Sequence, residues 1–184
     1  MKQGKIIYQG KTKDGTKYYI RYLHANDVRI ILDYFNTLSD EHTFISYQGE
    51  HLSLEEEQKY VDSQLKKLKE KKAVQLLVFS GEKLIGVADL KMQERIEKHI
   101  GVFGITLAKA YRGKGIGTKL LEITLCEASK YLEGLRIIKL GVFANNTLAR
   151  SLYKKYGFVE YGCLPGGIVQ DGCYIDHVYM YKSL

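Results

Sequence analysis

The sequence has few of the residues that mark specialised architectures. The 184-residue chain contains one proline, Pro165, and three cysteines without a CxxC pair, Cys126, Cys163 and Cys173. One proline excludes a proline-rich linker, and an odd number of scattered cysteines argues against a disulfide framework and a structural zinc site. No apolar run approaches the roughly 18 residues that span a bilayer, and no signal-peptide run opens the chain. We therefore expect a cytoplasmic protein with reduced thiols, no metal and no membrane contact.

The chain does have an ordinary globular composition and one basic stretch. It is 45% apolar and 27% charged, and its length fits a single domain, residues 1–184, with residues 1–16 as an N-terminal hairpin extension. The formal net charge is +7. Residues 99–121 contain no acidic side chain but carry Lys109, Arg112, Lys114 and Lys119. Such a basic surface suits an anionic cofactor, a nucleic acid or membrane phosphates.

Hydrophobic periodicity predicts the element order ββ-α-α-βββ-α-β-α-ββ. Asp14-Gly15 is a tight-turn signal between two alternating strands, and Ser53 followed by Glu56 forms a capping box before a long helix. A strand–helix–strand unit in the second half implies one parallel pair. We predict an α/β (α+β) fold with a mixed, mostly antiparallel central sheet of about seven strands and about four helices. We expect the last strand, from Cys173, at a sheet edge, where it offers a surface for a homodimer.

The segment from Ala110 to Thr118 is the most informative part of the chain. Gly113, Gly115 and Gly117 follow a predicted strand and open a helix, where free backbone N–H groups and the helix dipole favour a phosphate. The alternative is a strand–helix turn that merely uses glycine. The order of residues excludes a Walker loop, and Thr118 stands where a dinucleotide fold needs its third glycine.

Two spaced motifs carry a family resemblance. The first is Arg112-x-x-Gly115-x-Gly117, and the second is Asn146-x-x-Ala149-x-x-Leu152-Tyr153-x-x-x-Gly157-Phe158. Together they resemble the acyl-CoA loop and the second signature of the GCN5-related N-acetyltransferase (GNAT) family. The ending Asp171-Gly172-x-Tyr174-x-Asp176 with Met180 resembles the branch that acetylates ribosomal-protein N-termini, polyamines or small amines. The resemblance covers about residues 17–182.

The resemblance implies an acetyl-CoA-dependent transferase whose central parallel strands splay apart at the cofactor site. It places the pyrophosphate on the amides of the glycine loop and the pantetheine arm along the strand that ends at Leu107, with no metal. The residues that it assigns to acetyl-CoA are Ile105, Thr106, Leu107, Arg112, Gly113, Lys114, Gly115, Ile116, Gly117, Thr118, Asn146 and Tyr153.

Tyr153 and Asn146 are the catalytic residues that the resemblance implies. Tyr153 falls at the family's general-acid position, where a phenol protonates the leaving thiolate. The alternative is a tyrosine that only packs on its helix. Asn146 matches an asparagine that contacts the pantetheine arm or the short helix, and it is equally a good N-cap for that helix. The two roles of Asn146 are compatible.

The general base and the acceptor site are open at this point. Many relatives place a Glu on the strand that matches residues 98–107, but no acid stands in Ile100–Leu107. A water chain to solvent is therefore the default. Side chains near the predicted site offer alternatives, namely Asp89, Glu97, His99, Asp176 and His177. Acceptor selection is expected from residues 44–51, with Phe44, Tyr47, Glu50 and His51 either lining an amine pocket or forming a solvated loop, and from residues 164–172.

Two functions compete. The first is acetyl transfer from acetyl-CoA to a primary amine, which is a protein N-terminus, a lysine or a small molecule, by direct attack in a ternary complex. The second is a non-catalytic module that senses CoA or binds nucleic acid. No aromatic–basic interleaving or recognition helix lies near the loop, which disfavours nucleic acid.

Overall fold

The computed structural model describes residues 1–184 and contains eight strands and four α-helices in the predicted order. The strands are β1 (Ile6–Lys11), β2 (Lys17–Tyr22), β3 (Ala73–Ser80), β4 (Lys83–Met92), β5 (Ile100–Leu107), β6 (Ile137–Phe143), β7 (Val159–Gln170) and β8 (Cys173–Ser183). The helices are α1 (Val28–Asp40), α2 (Leu54–Lys69), α3 (Ile116–Tyr131) and α4 (Thr147–Lys155). None of these helices is long and apolar enough to cross a membrane.

All eight strands form one sheet in the order β1-β2-β3-β4-β5-β6-β8-β7. Only β5 and β6 run parallel, which confirms the predicted mixed, mostly antiparallel sheet. The sheet has one strand more than the seven expected, because β1 pairs with β2 at its edge. The expectation that the last strand lies at an edge is wrong. The apolar Val178 and Met180 of β8 are buried between β6 and β7, so β7 takes the edge instead.

The strand register shows which helix covers which face. Tyr22 lies opposite Leu76, so the neighbouring Gln75 faces the other way. The Tyr22 hydroxyl contacts Glu127 of α3, whereas the Gln75 side chain reaches the Tyr60 hydroxyl of α2 at 3.4 Å. Helices α1 and α2 therefore cover one face, and α3 covers the other together with α4.

The core is built on the central strands. Every residue of β3 except the last is buried, as expected for a strand with helices on both faces. Helix α2 begins with the predicted capping box, in which Ser53 Oγ accepts from the Glu56 N–H and the Glu56 carboxylate accepts from the Ser53 N–H. Three acids in its first turn and three lysines in its last turn complement the helix dipole.

The parallel pair β5–β6 is short. The register joins Ile100 to Ile137, Gly101 to Ile138 and Val102 to Lys139, and then stops. From there the segments 103–107 and 140–143 are no longer hydrogen-bonded to each other. A gap therefore opens towards the carboxyl ends of both strands, as the resemblance predicted.

Candidate active site

The glycine loop connects the end of β5 to the start of α3. Gly113 and Gly115 have φ angles of 73° and 82°, in the left-handed region that other residues rarely adopt. A Cβ atom built on Gly113, Gly115 or Gly117 would meet no atom within 4 Å. Packing within the protein therefore does not require glycine here. Backbone conformation explains the first two, and the loop faces open space.

The loop presents a row of unpaired donors. None of the six consecutive backbone N–H groups from Gly113 to Thr118 has an acceptor within the protein, and Gly115 at the N-cap supplies no side-chain cap. The dipole of the 16-residue helix α3 adds positive potential at the same point. This arrangement favours an anion and fits the predicted phosphate cradle better than a simple turn.

The two cations of the loop are already paired with carboxylates from other elements. Arg112 Nη2 lies 2.8 Å from Glu41 Oε2 after α1, and its Nε donates to the Leu107 carbonyl at 2.8 Å. Lys114 Nζ lies 2.8 Å from Asp14 Oδ2 in the β1–β2 turn. The Lys114 ammonium, with Thr12 and Thr16, holds the pKa of Asp14 well below its usual range. The backbone therefore supplies the free donors of the cradle, and the side chains tie it to two neighbouring segments.

The strand that leads into the loop has one free edge. Ile105, Thr106 and Leu107 pair with β4 on one side, while the side towards β6 lies in the gap. Tyr34 of α1 donates a hydrogen bond from its buried hydroxyl to Thr106 Oγ1 at 3.0 Å. Burial raises the pKa of Tyr34, so this phenol is neutral. The contact fixes the end of β5 against α1.

A cavity of about 460 Å³ adjoins this end of β5. Its walls include Tyr34 and Leu38 of α1, Glu41 directly after α1, and residues 108–111 before the first loop glycine. Because Tyr34 also holds Thr106, the cavity and the gap share one wall. The cleft at the strand ends therefore extends towards α1.

Asn146 and Tyr153 lie at opposite ends of the short helix α4. Asn146 Oδ1 accepts from the Ala149 N–H at 3.2 Å, so the asparagine is the N-cap of the helix. Tyr153 is 6% exposed and packs edge-on against Phe103 of β5, with ring centroids 6.2 Å apart. Phe103 is the first residue of β5 beyond its pairing with β6. Tyr153 therefore borders the gap from the α3/α4 face.

The hydroxyl of Tyr153 has no hydrogen-bond partner in the protein and is not fully enclosed. Burial raises the pKa of Tyr153 to about 12. The phenol consequently keeps its proton throughout the physiological pH range. It has the protonation state that a proton donor needs, while its ring packs between Phe103 and Phe158.

The two segments predicted to select the acceptor come together over the α1/α2 face. Phe44 packs edge-on against Phe143 of β6, with ring centroids 5.6 Å apart. The Gln170 side chain donates to the His42 carbonyl at 3.0 Å, and His42 Nδ1 lies 3.3 Å from Asp171 Oδ1. The loop after α1 and the β7–β8 turn therefore meet beside the gap.

Other residues of these segments are engaged locally. The Glu50 carboxylate accepts from the Gln48 N–H at 2.5 Å, which lowers the pKa of Glu50. His51 Nε2 lies 2.7 Å from Asp40 Oδ1, and Tyr47 is exposed. Of the four predicted pocket residues, Phe44 packs against a strand of the gap.

Most of the candidate bases are occupied or distant from the gap. Asp89 lies 2.9 Å from Lys91, and the Asp176 carboxylate accepts from the Gly166 N–H at 2.9 Å. Glu97 and His99 precede β5, at the end where β5 and β6 still pair. His177 lies on β8 opposite Phe143, beside the open half of β6.

Sequence reasoning missed Asp14, Glu41 and Tyr34. Asp14 was recognised only as a turn residue, although it pairs with Lys114. Glu41 follows α1 and gave no signal for its contact with Arg112, which is 71 positions away. Nothing in the sequence singled out Tyr34, which is buried and donates to Thr106. Their contacts depend on how α1 and the hairpin are placed above the strand ends.

Comparison with known proteins identifies the family. The sequence matches the profile of the acetyltransferase (GNAT) family over residues 32–158, which is more than half of the chain. The chain belongs to this family. The matched region includes the glycine loop, the gap and Tyr153. The predicted membership of the GNAT family is thereby confirmed.

Individual GNAT relatives agree with the fold. An acetyltransferase of the family from Streptococcus pneumoniae superposes with a TM-score of 0.81 at 29% identity, covering 91% of this chain and 99% of that one. YncA from Salmonella typhimurium, whose structure contains acetyl-CoA, gives 0.78 at 18% identity over 91% and 94% of the two chains. The L-amino acid N-acetyltransferase AaaT of Escherichia coli is 30% identical over 98 residues, 53% of this chain and 60% of that protein. The chain thus matches less than two thirds of this curated relative.

Proposed function

We propose that this protein transfers an acetyl group from acetyl-CoA to a primary amine, by direct attack of the amine in a ternary complex. One observation carries the proposal. Six unpaired N–H groups at residues 113–118 lie at the end of β5, whose edge is free where β6 diverges. The donors suit a pyrophosphate, and the free strand edge suits an extended amide-containing arm.

Each part of the site then has a role. The amides of residues 113–118 hold the pyrophosphate of acetyl-CoA, and the backbone of Ile105 to Leu107 holds the pantetheine arm in the manner of an added strand. When bound, acetyl-CoA supplies the activated acetyl group. A backbone N–H of β5 polarises the thioester carbonyl. Tyr153 gives its proton to the departing thiolate from the α3/α4 face.

Asn146 acts through the helix rather than on the reacting atoms. As the N-cap, it fixes the start of α4 next to β6 and so determines where Tyr153 lies. A direct contact between Asn146 and the pantetheine arm is compatible with this role, because only one of its side-chain atoms is used as the cap.

The acceptor enters from the α1/α2 face, between the loop after α1 and the β7–β8 turn. An α-amine is favoured over an alkylamine by the cost of freeing its lone pair. At pH 7 that cost is about 1.4 kcal/mol for a pKa near 8 and about 4.6 kcal/mol for a pKa near 10.4. The net charge of +7 also repels polycations at long range. We therefore place peptide N-termini before polyamines.

Self-association is a further part of this proposal. The edge strand β7 exposes apolar side chains, including Val159, Tyr161, Leu164 and Val169. An exposed apolar edge is a site where a second chain can pair. We propose a homodimer through β7, which sedimentation at micromolar concentration would test.

A screen of acceptors tests the function. L-amino acids, short peptides with free N-termini and polyamines are incubated with acetyl-CoA, and released CoA thiol and acetylated product are both measured. Transfer to α-amines supports the proposal. Tight acetyl-CoA binding without transfer to any amine would instead indicate a CoA-sensing module.

A further inference from the structure

We propose that His177 accepts the proton that the acceptor amine loses. This inference rests on the proposed acetyl transfer and adds to it the group that acts as base. The resemblance left that group open, because β5 carries no acidic residue.

The register places His177 at the gap. Residues 177–183 of β8 pair with the whole of β6, and this register sets His177 opposite Phe143 and Tyr179 opposite Gly141. Residues 140–143 of β6 have no partner on β5, so this part of β6 is one wall of the gap. Lys139 lies beside Val102, and alternate residues share a face, so Gly141 and Phe143 face the same side as Gly104. His177 is therefore on the α1/α2 face, opposite to Tyr153.

Gly141 allows the imidazole to lean from β8 over β6. A Cβ atom at Gly141 would lie only 2.2 Å from His177 Nε2, so no other residue could occupy this position without moving the ring. Across the gap, Gly104 also lacks a side chain. On that side the Asp89 carboxylate, which is paired with Lys91, borders the space, because its Oδ1 lies 3.2 Å from the position of a Cβ atom on Gly104.

The ring of His177 is free to take a proton. Neither nitrogen has a hydrogen-bond partner in the protein. Its titratable neighbour is Tyr179, with ring centroids 4.4 Å apart, while β6 and β7 contribute Gly141, Leu164 and Gly167. Partial burial lowers the pKa of His177, so the imidazole is neutral at pH 7.

The remaining candidates are less suited to the role. Lys91 neutralises Asp89, and the backbone of the β7–β8 hairpin holds the Asp176 carboxylate. Glu97 and His99 lie at the closed end of the strand pair. His177 combines a free nitrogen with a position on the open half.

The proton balance of the step is complete. His177 Nε2 takes one proton from the ammonium group of the acceptor, and the freed nitrogen forms a C–N bond to the acetyl carbonyl carbon. The C–S bond breaks, and the thiolate takes the proton of Tyr153. The second proton of the attacking nitrogen restores Tyr153 through water, and His177 releases its proton to solvent. The net products are an amide, CoA thiol and one proton.

The test is the pH–rate profile of kcat/KM with the best α-amine acceptor, for the wild type and for His177→Asn. We expect the variant to lose about 10²-fold or more at pH 7 and to recover towards high pH, where the amine is already neutral. Its affinity for acetyl-CoA should be unchanged. Gly141→Ala provides a second variant, because it retains a titratable histidine but displaces the ring. It should also be slow at pH 7.

His99→Asn is the matched control and should behave as the wild type. If His177→Asn keeps both the rate and the profile of the wild type, His177 is not the base. An equal loss at all pH values would indicate a structural role and would also overturn the proposal. If the wild type acetylates no amine, the proposed function itself fails, and this outcome is distinct from an active enzyme that does not need His177.

Discussion

Lys114 of the glycine loop and Asp14 of the first hairpin form an ion pair, with Nζ and Oδ2 2.8 Å apart. The hairpin turn thereby places a carboxylate beside the proposed pyrophosphate site. Asp14 stays ionised, because Lys114 and the nearby threonines lower its pKa. The N-terminal hairpin thus influences the charge of the loop.

Removing the charge of Asp14 should strengthen acetyl-CoA binding. In Asp14→Asn, Lys114 is no longer neutralised, and we expect a gain of about two- to fivefold in affinity at low salt. The gain should shrink as ionic strength rises. Asp62→Asn, on the exposed surface of α2, removes the same charge away from the loop. Titration calorimetry that finds no gain specific to Asp14 would exclude this electrostatic role.

Gly115 offers a direct test of the phosphate cradle. Gly115→Val should abolish acetyl-CoA binding, since the side chain enters the space in front of the free N–H groups. Valine at this position also strains the backbone, because Gly115 has a φ of 82°, and this strain lowers the stability of the variant. Gly81→Val is the matched control, because Gly81 has a φ of 59° and equally open surroundings in the β3–β4 turn. A folded Gly115→Val protein that binds as well as the control would contradict the cradle.

Tyr153 can be tested by removing only its hydroxyl. Tyr153→Phe retains the packing on Phe103, so stability and acetyl-CoA affinity should be unchanged, while kcat falls by about 10²–10⁴-fold. Because burial raises the pKa of Tyr153 to about 12, the wild type should keep this acid protonated throughout the physiological pH range. Tyr156→Phe, at the residue that directly follows this helix, is the control. A kcat within threefold of wild type would leave Tyr153 as a packing residue only.

Glu57 should make stability depend on pH. It is 2% exposed, its Oε1 has no partner, and burial raises its pKa from 4.5 to about 7. The folded state therefore holds the proton more tightly, so stability is full below pH 4.5 and declines as pH rises to 7. The decline is at most about 3 kcal/mol.

The variant Glu57→Gln should remove this dependence. Urea unfolding at pH 5 and pH 8 measures it, with the exposed Glu55→Gln as control. The free energy of unfolding of Glu57→Gln should be nearly the same at both pH values. If it falls as steeply as that of the wild type, Glu57 is not responsible for the pH dependence.

Local signals in the sequence were sufficient to predict most of the fold. The Ser53 capping box, the Asp14-Gly15 turn and the alternating strands each depend on neighbours a few positions apart. The position of β8 inside the sheet was not predictable in this way. It depends on whether β7 or β8 pairs with β6, and both strands are rich in apolar residues.

The glycine loop of the candidate site was also predictable from local signals, but the side chains that contact it were not. The three glycines and the order of the two motifs were sufficient to locate the loop, because their effect is on the backbone. The partners of Arg112 and Lys114 were not predictable, since Glu41 and Asp14 lie far away in sequence. The placement of His177 depends on the register that sets it beside Gly141, and only the folded sheet supplies that register.

The central claim is direct acetyl transfer in a ternary complex, and labelled acetyl-CoA tests it. The protein is mixed with acetyl-CoA that carries an isotopic label in the acetyl group, with and without an α-amine acceptor, and intact masses of protein and acceptor are followed. We predict that the label appears on the acceptor with one CoA thiol released per product, and that the protein remains unlabelled. Label on the protein before the acceptor is added, or no label on any acceptor, would contradict the account.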